Sequence, residues 1–252
     1  MSEPEMSRGF VARGRSSRGH ISWGLWLMLV VFHPMADLIF RREVWQGERI
    51  PPTGPAIIVA NHISIADPVS FARGVWDAGR IPQFLAKNTL YRGVVGVILR
   101  SAGQIPVYRA TDAAQDSLRA AVAALQRGEV VCIYPEGTVT RDPDWWPMLA
   151  KNGVARLALA VDAPVIPVGQ WGPQLTHDYR TKKWSVFPRK DTICNVGDPL
   201  DLSAYRDRPV TAALLREVTD EIMVSVRDLL AEIRQEPPPA HFHRDAETGA
   251  DQ

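Results

Sequence analysis

Between residues 56 and 196, short apolar runs alternate with segments whose apolar residues recur every three or four positions. Such runs are typical of buried strands, and the longer period is typical of helices that pack on a sheet. We therefore predict an α/β fold: a single domain with a mostly parallel or mixed central sheet flanked by helices. The predicted strands are residues 56–60, 83–86, 104–108, 130–134, 165–169, 184–187 and 192–196, and the predicted helices are residues 111–127, 152–161 and 211–235.

Composition limits the partners and the compartment. A chain of 252 residues can bury the core of one large domain, and a formal net charge of +1 argues against a nucleic-acid surface built on bulk basicity. The two cysteines, Cys132 and Cys194, both lie in predicted strands. We expect both thiols to pack in the core in a reducing compartment, without a disulfide.

The two ends of the chain differ from its centre. Residues 1–22 are polar, with arginines among glycine and serine, and residues 236–252 are polar and led by proline, so we predict a disordered basic arm and a disordered tail. Residues 46–235 form the predicted globular domain. Residues 23–45 open with WGLWLMLVVF, the most apolar run of the chain, which is interrupted by His33-Pro34 and Asp37.

That apolar run is shorter than the roughly 20 residues that a spanning helix needs. Tryptophans and flanking arginines suit a helix that lies in the headgroup region, and we predict that residues 23–45 are a membrane-associating helical element. A helix packed on the domain, a spanning helix and a signal peptide are the alternatives. The last of these lacks a small-x-small cleavage site after Phe32.

The first candidate site follows the strand at residues 56–60, in the sequence ANHISIADP. An imidazole that a carboxylate holds in one tautomer is a general base, which His62 and Asp67 could provide. Residues five apart lie on different faces of a helix, so the pairing requires His62 in a loop and Asp67 near a helix start. Pro68 supports a helix start there. A simple N-cap is the alternative role for Asp67.

The second candidate site follows the strand at residues 130–134, in the sequence YPEGTVTRD. Glu136 and Thr138 offer side-chain oxygens, Gly137 permits a close backbone approach, and Arg141 offers a fork for phosphate or carboxylate. Ligands of open α/β sheets bind outside the carboxyl ends of the strands. The two loops therefore predict one site at a shared edge of the sheet.

The chain resembles the PlsC-like glycerophospholipid acyltransferases, typified by 1-acyl-glycerol-3-phosphate acyltransferase. The resemblance rests on four blocks in the family's order, over roughly residues 47–198: NHISIAD, GQIPVYR, YPEGT and VIPVG. It implies a glycerol-3-phosphate acyltransferase-like fold and makes residues 46–235 an acyltransferase catalytic domain. It also implies transfer of a fatty acyl group from acyl-CoA, or from an acyl carrier protein, to the free hydroxyl of lysophosphatidic acid in phospholipid biosynthesis.

The resemblance implies a role for each site residue. His62 would be the general base and Asp67 its orienting partner, with no metal and no cofactor beyond the acyl donor as co-substrate. Helix-start amides and the Gly137 backbone are both candidates for the oxyanion site. The glycerol phosphate would be held by Arg109 and by Glu136, Gly137 and Thr138. Lys87 is a further candidate ligand, with a solvated strand end as the alternative.

One position departs from the family pattern. The family commonly has arginine directly after Glu-Gly-Thr, where this chain has Val139. We predict that Arg141, two residues further along, replaces it as a phosphate ligand. The alternative is that Arg141 pairs with Asp142 or Asp144 on a solvated turn, where an ion pair contributes little.

Other functions stay open at this point. The acceptor could be another lysophospholipid or a glycolipid, and a non-catalytic lipid-binding protein could share the fold. A metal hydrolase would need a third ligand, which the sequence does not offer at a recognisable spacing. We expect the partners to be a phospholipid surface, a lysophospholipid and the acyl donor, with no nucleic acid. The expected location is the cytoplasmic face of the cell membrane, as a peripheral or monotopic protein.

Overall fold

The computed structural model describes residues 21–107 and 111–244. Its helices are α1 Trp23–Ile39, α2 Asp67–Asp77, α3 Gly93–Ser101, α4 Thr111–Gln126, α5 Gly153–Ala160, α6 Ser203–Arg206 and α7 Ala212–Arg234. Its strands are β1 Phe40–Trp45, β2 Ala56–Ala60, β3 Pro82–Lys87, β4 Ile105–Val107, β5 Val130–Ile133, β6 Val165–Trp171, β7 His177–Asp178, β8 Lys183–Trp184 and β9 Lys190–Val196. The predicted basic arm, except its last two residues, and the predicted tail beyond Arg244 lie outside the described residues.

Within the described part of the chain, seven strands form one sheet in the order β1-β9-β6-β2-β5-β3-β4. Neighbouring strands are parallel, except that β6 and β9 are antiparallel. The predicted α/β fold with a mostly parallel or mixed sheet is therefore confirmed. The order places β2 next to β5, so the two loops of the candidate site leave neighbouring strands.

The apolar pattern of β2 explains why it is the centre of the sheet. Ile57 and Val59 face the core cluster that includes residues of α4, α5 and α7, whereas Ile58 and Ala60 face the cluster that includes residues of α2. Alternate side chains of a strand point to opposite faces, so a strand that is apolar throughout must be covered on both. Cys132 and Cys194 are free thiols buried in the second cluster, as predicted.

Helix α7 crosses β6 at very short range. A Cβ atom on Gly169 would lie 2.6 Å from the Leu230 amide nitrogen, so only glycine allows this approach. The helix begins after Thr211, whose hydroxyl accepts a hydrogen bond from the Leu214 amide. Its apolar stripe is buried along the sheet, as the sequence predicts.

Two predicted boundaries differ from the structure. The prediction of a sheet strand at residues 184–187 is wrong, because Lys183–Trp184 pairs with His177–Asp178 in a separate hairpin. The second part of the predicted helical element 23–45 is strand β1, which pairs with β9 at the edge of the sheet. The charges of FRREVW conceal this strand in the sequence, because edge strands carry charged side chains that core strands do not.

Helix α1 packs on the domain with one face and exposes the other. It begins after the N-cap Ser22, and a Cβ atom on Gly24 would lie 2.6 Å from Cβ of Ser101 in α3, so the two helices are in close contact. Trp23, Trp26 and Leu38 are more than half exposed. Across the two described ranges, no helix is both long enough and apolar enough to cross a bilayer.

The described part of the predicted tail, residues 236–244, lies against the domain. The Leu149 amide donates a hydrogen bond to the His243 carbonyl, and Arg227 donates one to the Pro239 carbonyl. The guanidinium of Arg227 also lies 5.7 Å from the ring centroid of Phe242. These contacts attach the segment to α7 and to the loop before α5.

Candidate functional site

The two candidate loops meet because β2 and β5 are parallel neighbours. Ile58 is paired with Cys132 in the register of the two strands, so their carboxyl ends lie side by side. The loop after β2 carries His62, and the loop after β5 carries Glu136 and Gly137. The two loops therefore lie next to each other at the same edge of the sheet, as the sequence predicts.

His62 and Asp67 form a hydrogen-bonded pair. His62 Nδ1 lies 2.8 Å from Asp67 Oδ2. Asp67 is the first residue of α2 and His62 is in the loop before it, which is the arrangement that a five-residue separation requires. The same Asp67 oxygen accepts hydrogen bonds from the amides of Ile63 and Ser64, so this carboxylate braces the loop before the helix instead of capping the helix.

Asp67 is a buried acid whose side-chain partner is the imidazole of His62. The side chain is fully buried, and burial raises the pKa of its carboxyl above the ordinary value of 3.8. The hydrogen bond and the charge of His62 oppose that rise, as do the two loop amides. The carboxyl of Asp67 is therefore shielded from solvent and held by one imidazole and two backbone amides.

The ring of His62 is oriented for proton transfer. With Nδ1 engaged by Asp67, Nε2 is the nitrogen that remains to take a proton. The ring stacks on Tyr134, with centroids 4.4 Å apart and planes inclined by 14°. The imidazole lies on the wall of a groove, and its side chain is only 16% exposed. It is thus held on one side by a carboxylate and on one face by an aromatic ring.

The loop after β5 holds the backbone of His62 from both sides. The His62 amide donates to Glu136 Oε1 at 2.7 Å, and the His62 carbonyl accepts a hydrogen bond from the Thr140 amide at 2.7 Å. The other Glu136 oxygen accepts from the Met148 amide. Glu136 is 1% exposed, and burial raises the pKa of its carboxyl from 4.5 to about 8. The structure thus gives Glu136 a positioning contact with His62.

Gly137 has a positive φ of 72°, and its amide donates to the Tyr134 carbonyl at 3.0 Å. This hydrogen bond closes a turn and occupies an amide that the sequence offered as one of two candidates for the oxyanion site. Gly137 lines the same groove as His62. The turn therefore presents a surface without a side chain directly beside the imidazole.

Lys151 is a residue that sequence reasoning did not include in the site. A Cβ atom on Gly137 would lie 3.7 Å from Cδ and Cε of Lys151, so the lysine stem runs alongside the glycine turn. The Lys151 amide also donates to the Pro135 carbonyl. Lysine is scarce, with five in 252 residues, and this scarcity draws attention to Lys151. No local sequence pattern, however, connects Lys151 to the loop after β5.

The other predicted ligands occupy different environments. Lys87 ends β3 and lines the groove with His62. Thr138 is partly exposed, and Val139 is 3% exposed in the interior of the loop. Arg141 is exposed, with its guanidinium carbon 4.9 Å from the ring centroid of Tyr179. Arg109 lies outside the described residues, and the binding roles of all these side chains stay predictions.

The groove beside His62 has a volume of about 460 Å³ and is mostly apolar. Leu29 and Phe32 of α1 form one wall, and Trp76 of α2 and Phe84 of β3 form others. It runs between the N-terminal helix and the sheet edge and reaches the imidazole. Among the described residues, no three histidine, cysteine, aspartate or glutamate side chains are grouped to hold a metal ion.

Comparisons with known proteins identify a family for the chain. A family model described as Acyltransferase matches residues 41–171. The chain is 22% identical over 191 residues to 1-acyl-sn-glycerol-3-phosphate acyltransferase of Bacillus subtilis, covering 74% of this chain and 87% of that protein. It is 29% identical over 145 residues to 1-acyl-sn-glycerol-3-phosphate acyltransferase beta of Homo sapiens, covering 57% of this chain and half of the human protein.

A solved structure shares the fold. It is the 1-acyl-sn-glycerophosphate acyltransferase PlsC of Thermotoga maritima, with a TM-score of 0.59 and 22% identity. The likeness covers 91% of this chain and 87% of the Thermotoga chain. It extends beyond the residues that the family model matches, to most of the described architecture.

Proposed function

This chain belongs to the Acyltransferase family, whose model matches more than half of it, and on that premise we propose that it acylates the free hydroxyl of lysophosphatidic acid. The observation that carries this proposal is the His62–Asp67 pair on the wall of an apolar groove. The names of the Bacillus and human relatives support the acceptor. The donor is an acyl thioester, acyl-CoA or an acyl carrier protein, and serves as co-substrate without a further cofactor.

The proposed step is direct attack by the acceptor hydroxyl. Nε2 of His62 takes the hydroxyl proton while the oxygen forms a bond to the thioester carbonyl carbon. The tetrahedral intermediate collapses as the carbon–sulfur bond breaks, and the proton passes from Nε2 to the leaving sulfur. The products are an ester and a free thiol, so atoms and protons balance without a covalent enzyme intermediate.

Asp67 contributes to this step through His62. Its carboxylate accepts a hydrogen bond from Nδ1–H, which fixes the tautomer that leaves Nε2 unprotonated, and it stabilises the imidazolium that forms. Glu136 and Thr140 keep the His62 backbone in place during the step. Preorganisation of this kind avoids a conformational cost when charge develops on the ring.

The apolar groove suits the acyl chain. Its lining of aliphatic and aromatic side chains removes a hydrocarbon from water, which is favourable in proportion to the area buried. Two cations at the site, Lys87 on the groove wall and Lys151 beside Gly137, suit the acceptor phosphate. Val139 stands where the family commonly has arginine, and its side chain is buried, so it cannot bind a phosphate. This favours a second candidate function, in which the acceptor is another lysophospholipid or a glycolipid.

We also propose that the protein works on a membrane surface. The outer face of α1, with Trp23 and Trp26, continues onto α3, where Val94 is 76% exposed and Val95 is 56% exposed. We call these residues the apolar face of α1 and α3. An exposed patch of this kind marks a site of interaction, and tryptophan favours the interface between lipid and water. The cytoplasmic face of the cell membrane is the proposed location.

The experiment is an acceptor panel with the purified protein. One acyl-CoA and the matching acyl carrier protein are each combined with lysophosphatidic acid, two other lysophospholipids and a glycolipid, and thiol release is measured. We expect the highest kcat/KM with lysophosphatidic acid, and no acceptor-dependent release with His62→Ala. Preference for another acceptor would replace the first candidate by the second, and acceptor-independent thiol release throughout would contradict both.

A further inference from the structure

A positively charged segment near the site has no part in the function proposed so far. Residues 178–190 contain five lysines and arginines and one carboxylate, in a chain whose formal net charge is only +1. The segment includes part of β7, all of β8 and the turn that leads into β9. We call residues 177–190 the basic hairpin. Its charge is therefore a local feature and not an average property of the surface.

The basic hairpin exposes aromatic side chains together with its cations. Trp184 is 59% exposed and Phe187 is 62% exposed, and Lys182 and Lys183 are exposed between them and the hairpin tip. An exposed aromatic ring lacks the free energy that burial in a core would provide. Two such rings within four residues form an exposed apolar patch. Cations beside exposed aromatic rings are the composition of a surface that contacts lipid headgroups.

Contacts at the base fix the basic hairpin in place. The Ser64 hydroxyl donates a hydrogen bond to the His177 carbonyl, which attaches the hairpin to the loop that carries His62. Arg180 stacks over Trp145 at 3.8 Å and donates to the Pro143 carbonyl, which attaches it to the segment after β5. The hairpin is thus bound to both loops of the active site, while Lys183, Trp184 and Phe187 are exposed.

The basic hairpin also adjoins the end of α1. β1 and β9 run opposite to β6, so both begin at the edge of the sheet where His62 lies, and Phe40 pairs with Lys190 in their register. Arg189 donates to the carbonyl of Phe40, the residue that follows α1. Leu38, two residues before Phe40, is 57% exposed. The hairpin therefore lies next to the end of α1, where Leu38 is exposed.

We propose that the basic hairpin is a second membrane contact, which binds anionic lipid headgroups through Lys182 and Lys183 and inserts Trp184 and Phe187 at the interface. The inference rests on the proposed function, because it assumes that the protein meets its lipid acceptor at a membrane. With α1 at one side and the hairpin at the other, the mouth of the active site faces the bilayer. Each cation near an anionic surface strengthens binding by roughly fivefold.

The test is vesicle sedimentation of the full chain without turnover. Lys182→Gln/Lys183→Gln removes two charges, and Arg119→Gln/Arg208→Gln removes two exposed charges from α4 and from the turn after α6 as a matched control. We expect the hairpin variant to bind vesicles of phosphatidylcholine with phosphatidylserine about 10- to 30-fold more weakly, and neutral vesicles almost unchanged. The control should lose much less. Equal loss in both variants, or no loss in either, would overturn the proposal.

A second variant separates insertion from charge. Trp184→Ala/Phe187→Ala should weaken binding to neutral and anionic vesicles alike, because the lost contribution is apolar. Thermal unfolding confirms that each variant keeps its fold. Unchanged binding of this variant to both vesicle types would remove the aromatic part of the proposal.

Kinetics with soluble substrates show whether the basic hairpin binds a lipid surface or the acyl donor. With a short-chain acceptor and short-chain acyl-CoA, without vesicles, the lysine variant should keep the kcat and both KM values of the unmodified protein. A selective rise in the KM of acyl-CoA or of acyl carrier protein would assign the hairpin to the donor and contradict the proposal. Absence of all acyl transfer in the unmodified protein would contradict the proposed function, while vesicle binding would still report on the hairpin.

Discussion

The loop after β2 and the loop after β5 occupy equivalent positions after buried strands but have different roles in the structure. Each follows a buried strand, and each offers an acid within a short polar stretch. In the first loop, the buried Asp67 accepts a hydrogen bond from an imidazole that lies on the groove wall. In the second, Glu136 is equally buried, but its oxygens accept backbone amides, one of them that of His62.

The difference shows how a reacting group can be told from a supporting one. A carboxylate whose partners are all backbone amides fixes chain geometry, whereas a carboxylate that also pairs with a groove-lining imidazole fixes the tautomer and orientation of that ring. Both loops are needed, because the His62 backbone is held at its amide and at its carbonyl by the second loop. We therefore expect substitutions in the first loop to lower the rate most, and those in the second to act through position, stability or acceptor binding.

His62→Ala should have the largest effect. It removes the proposed general base, and general base catalysis contributes about 10²- to 10⁴-fold, so we expect kcat to fall by roughly 10³-fold. The side chain is 16% exposed and pairs with the buried carboxylate of Asp67, so we also expect a lower midpoint of thermal unfolding. Steady-state kinetics of the folded variant measure the effect. Retention of a tenth of the original kcat would assign the base to another residue.

Asp67→Asn should be the next most severe change. The amide cannot stabilise an imidazolium, and its NH₂ group or carbonyl must face the amides of Ile63 and Ser64 as well as His62. We expect kcat to fall by about 10²-fold or more, together with a lower thermal unfolding midpoint. Activity near that of the unmodified protein in a stable variant would reduce Asp67 to a structural residue.

Glu136→Gln should lower kcat by only about tenfold, because it displaces the His62 backbone without removing a reacting group. Glutamine has a single acceptor oxygen, so the amide of His62 or of Met148 loses its partner. Kinetics and urea unfolding measure the two effects. A loss as large as that of His62→Ala would place Glu136 in the chemistry itself.

The same variant tests a pH dependence of stability. The pKa of Glu136 is about 8 in the folded protein against an ordinary value of 4.5, so the unfolded chain releases this proton first as pH rises. The free energy of unfolding should therefore be highest below about pH 4.5 and fall as pH rises to about 8, by about 5 kcal/mol from this group. Glu136→Gln should remove most of that slope. A slope that is unchanged in the variant would exclude Glu136 as its source.

Lys151→Ala and Arg141→Ala should have the smallest effects and sharpen the role of the second loop. Lys151 lies against Gly137 beside the imidazole, whereas Arg141 lies over Tyr179. We expect Lys151→Ala to raise the acceptor KM about tenfold and Arg141→Ala about threefold, with the donor KM unchanged, because exposed charged contacts are screened by solvent. A larger effect of Arg141→Ala would favour that arginine as the replacement for the residue missing at Val139.

The elements that sequence reasoning predicted correctly are those that burial alone specifies. The strands at β2, β5 and β6 are apolar on both faces, and α7 carries a periodic stripe, so each element is recognisable within its own residues. The placement of Asp67 at the start of α2 also followed locally, from the five-residue separation and Pro68. The edge strand β1 was missed, because its charged residues have no apolar pattern to report.

The sequence by itself determined the α/β fold, the family motifs and the His62–Asp67 pair, because residues close along the chain carry all the necessary information. Only the tertiary structure decided that Glu136 binds the amide of His62, 74 residues away, and that Lys151 lies beside Gly137. It alone placed the basic hairpin next to the end of α1. The physical reason is that strand order and direction determine these contacts, and both follow from packing of the whole chain, which no local pattern specifies.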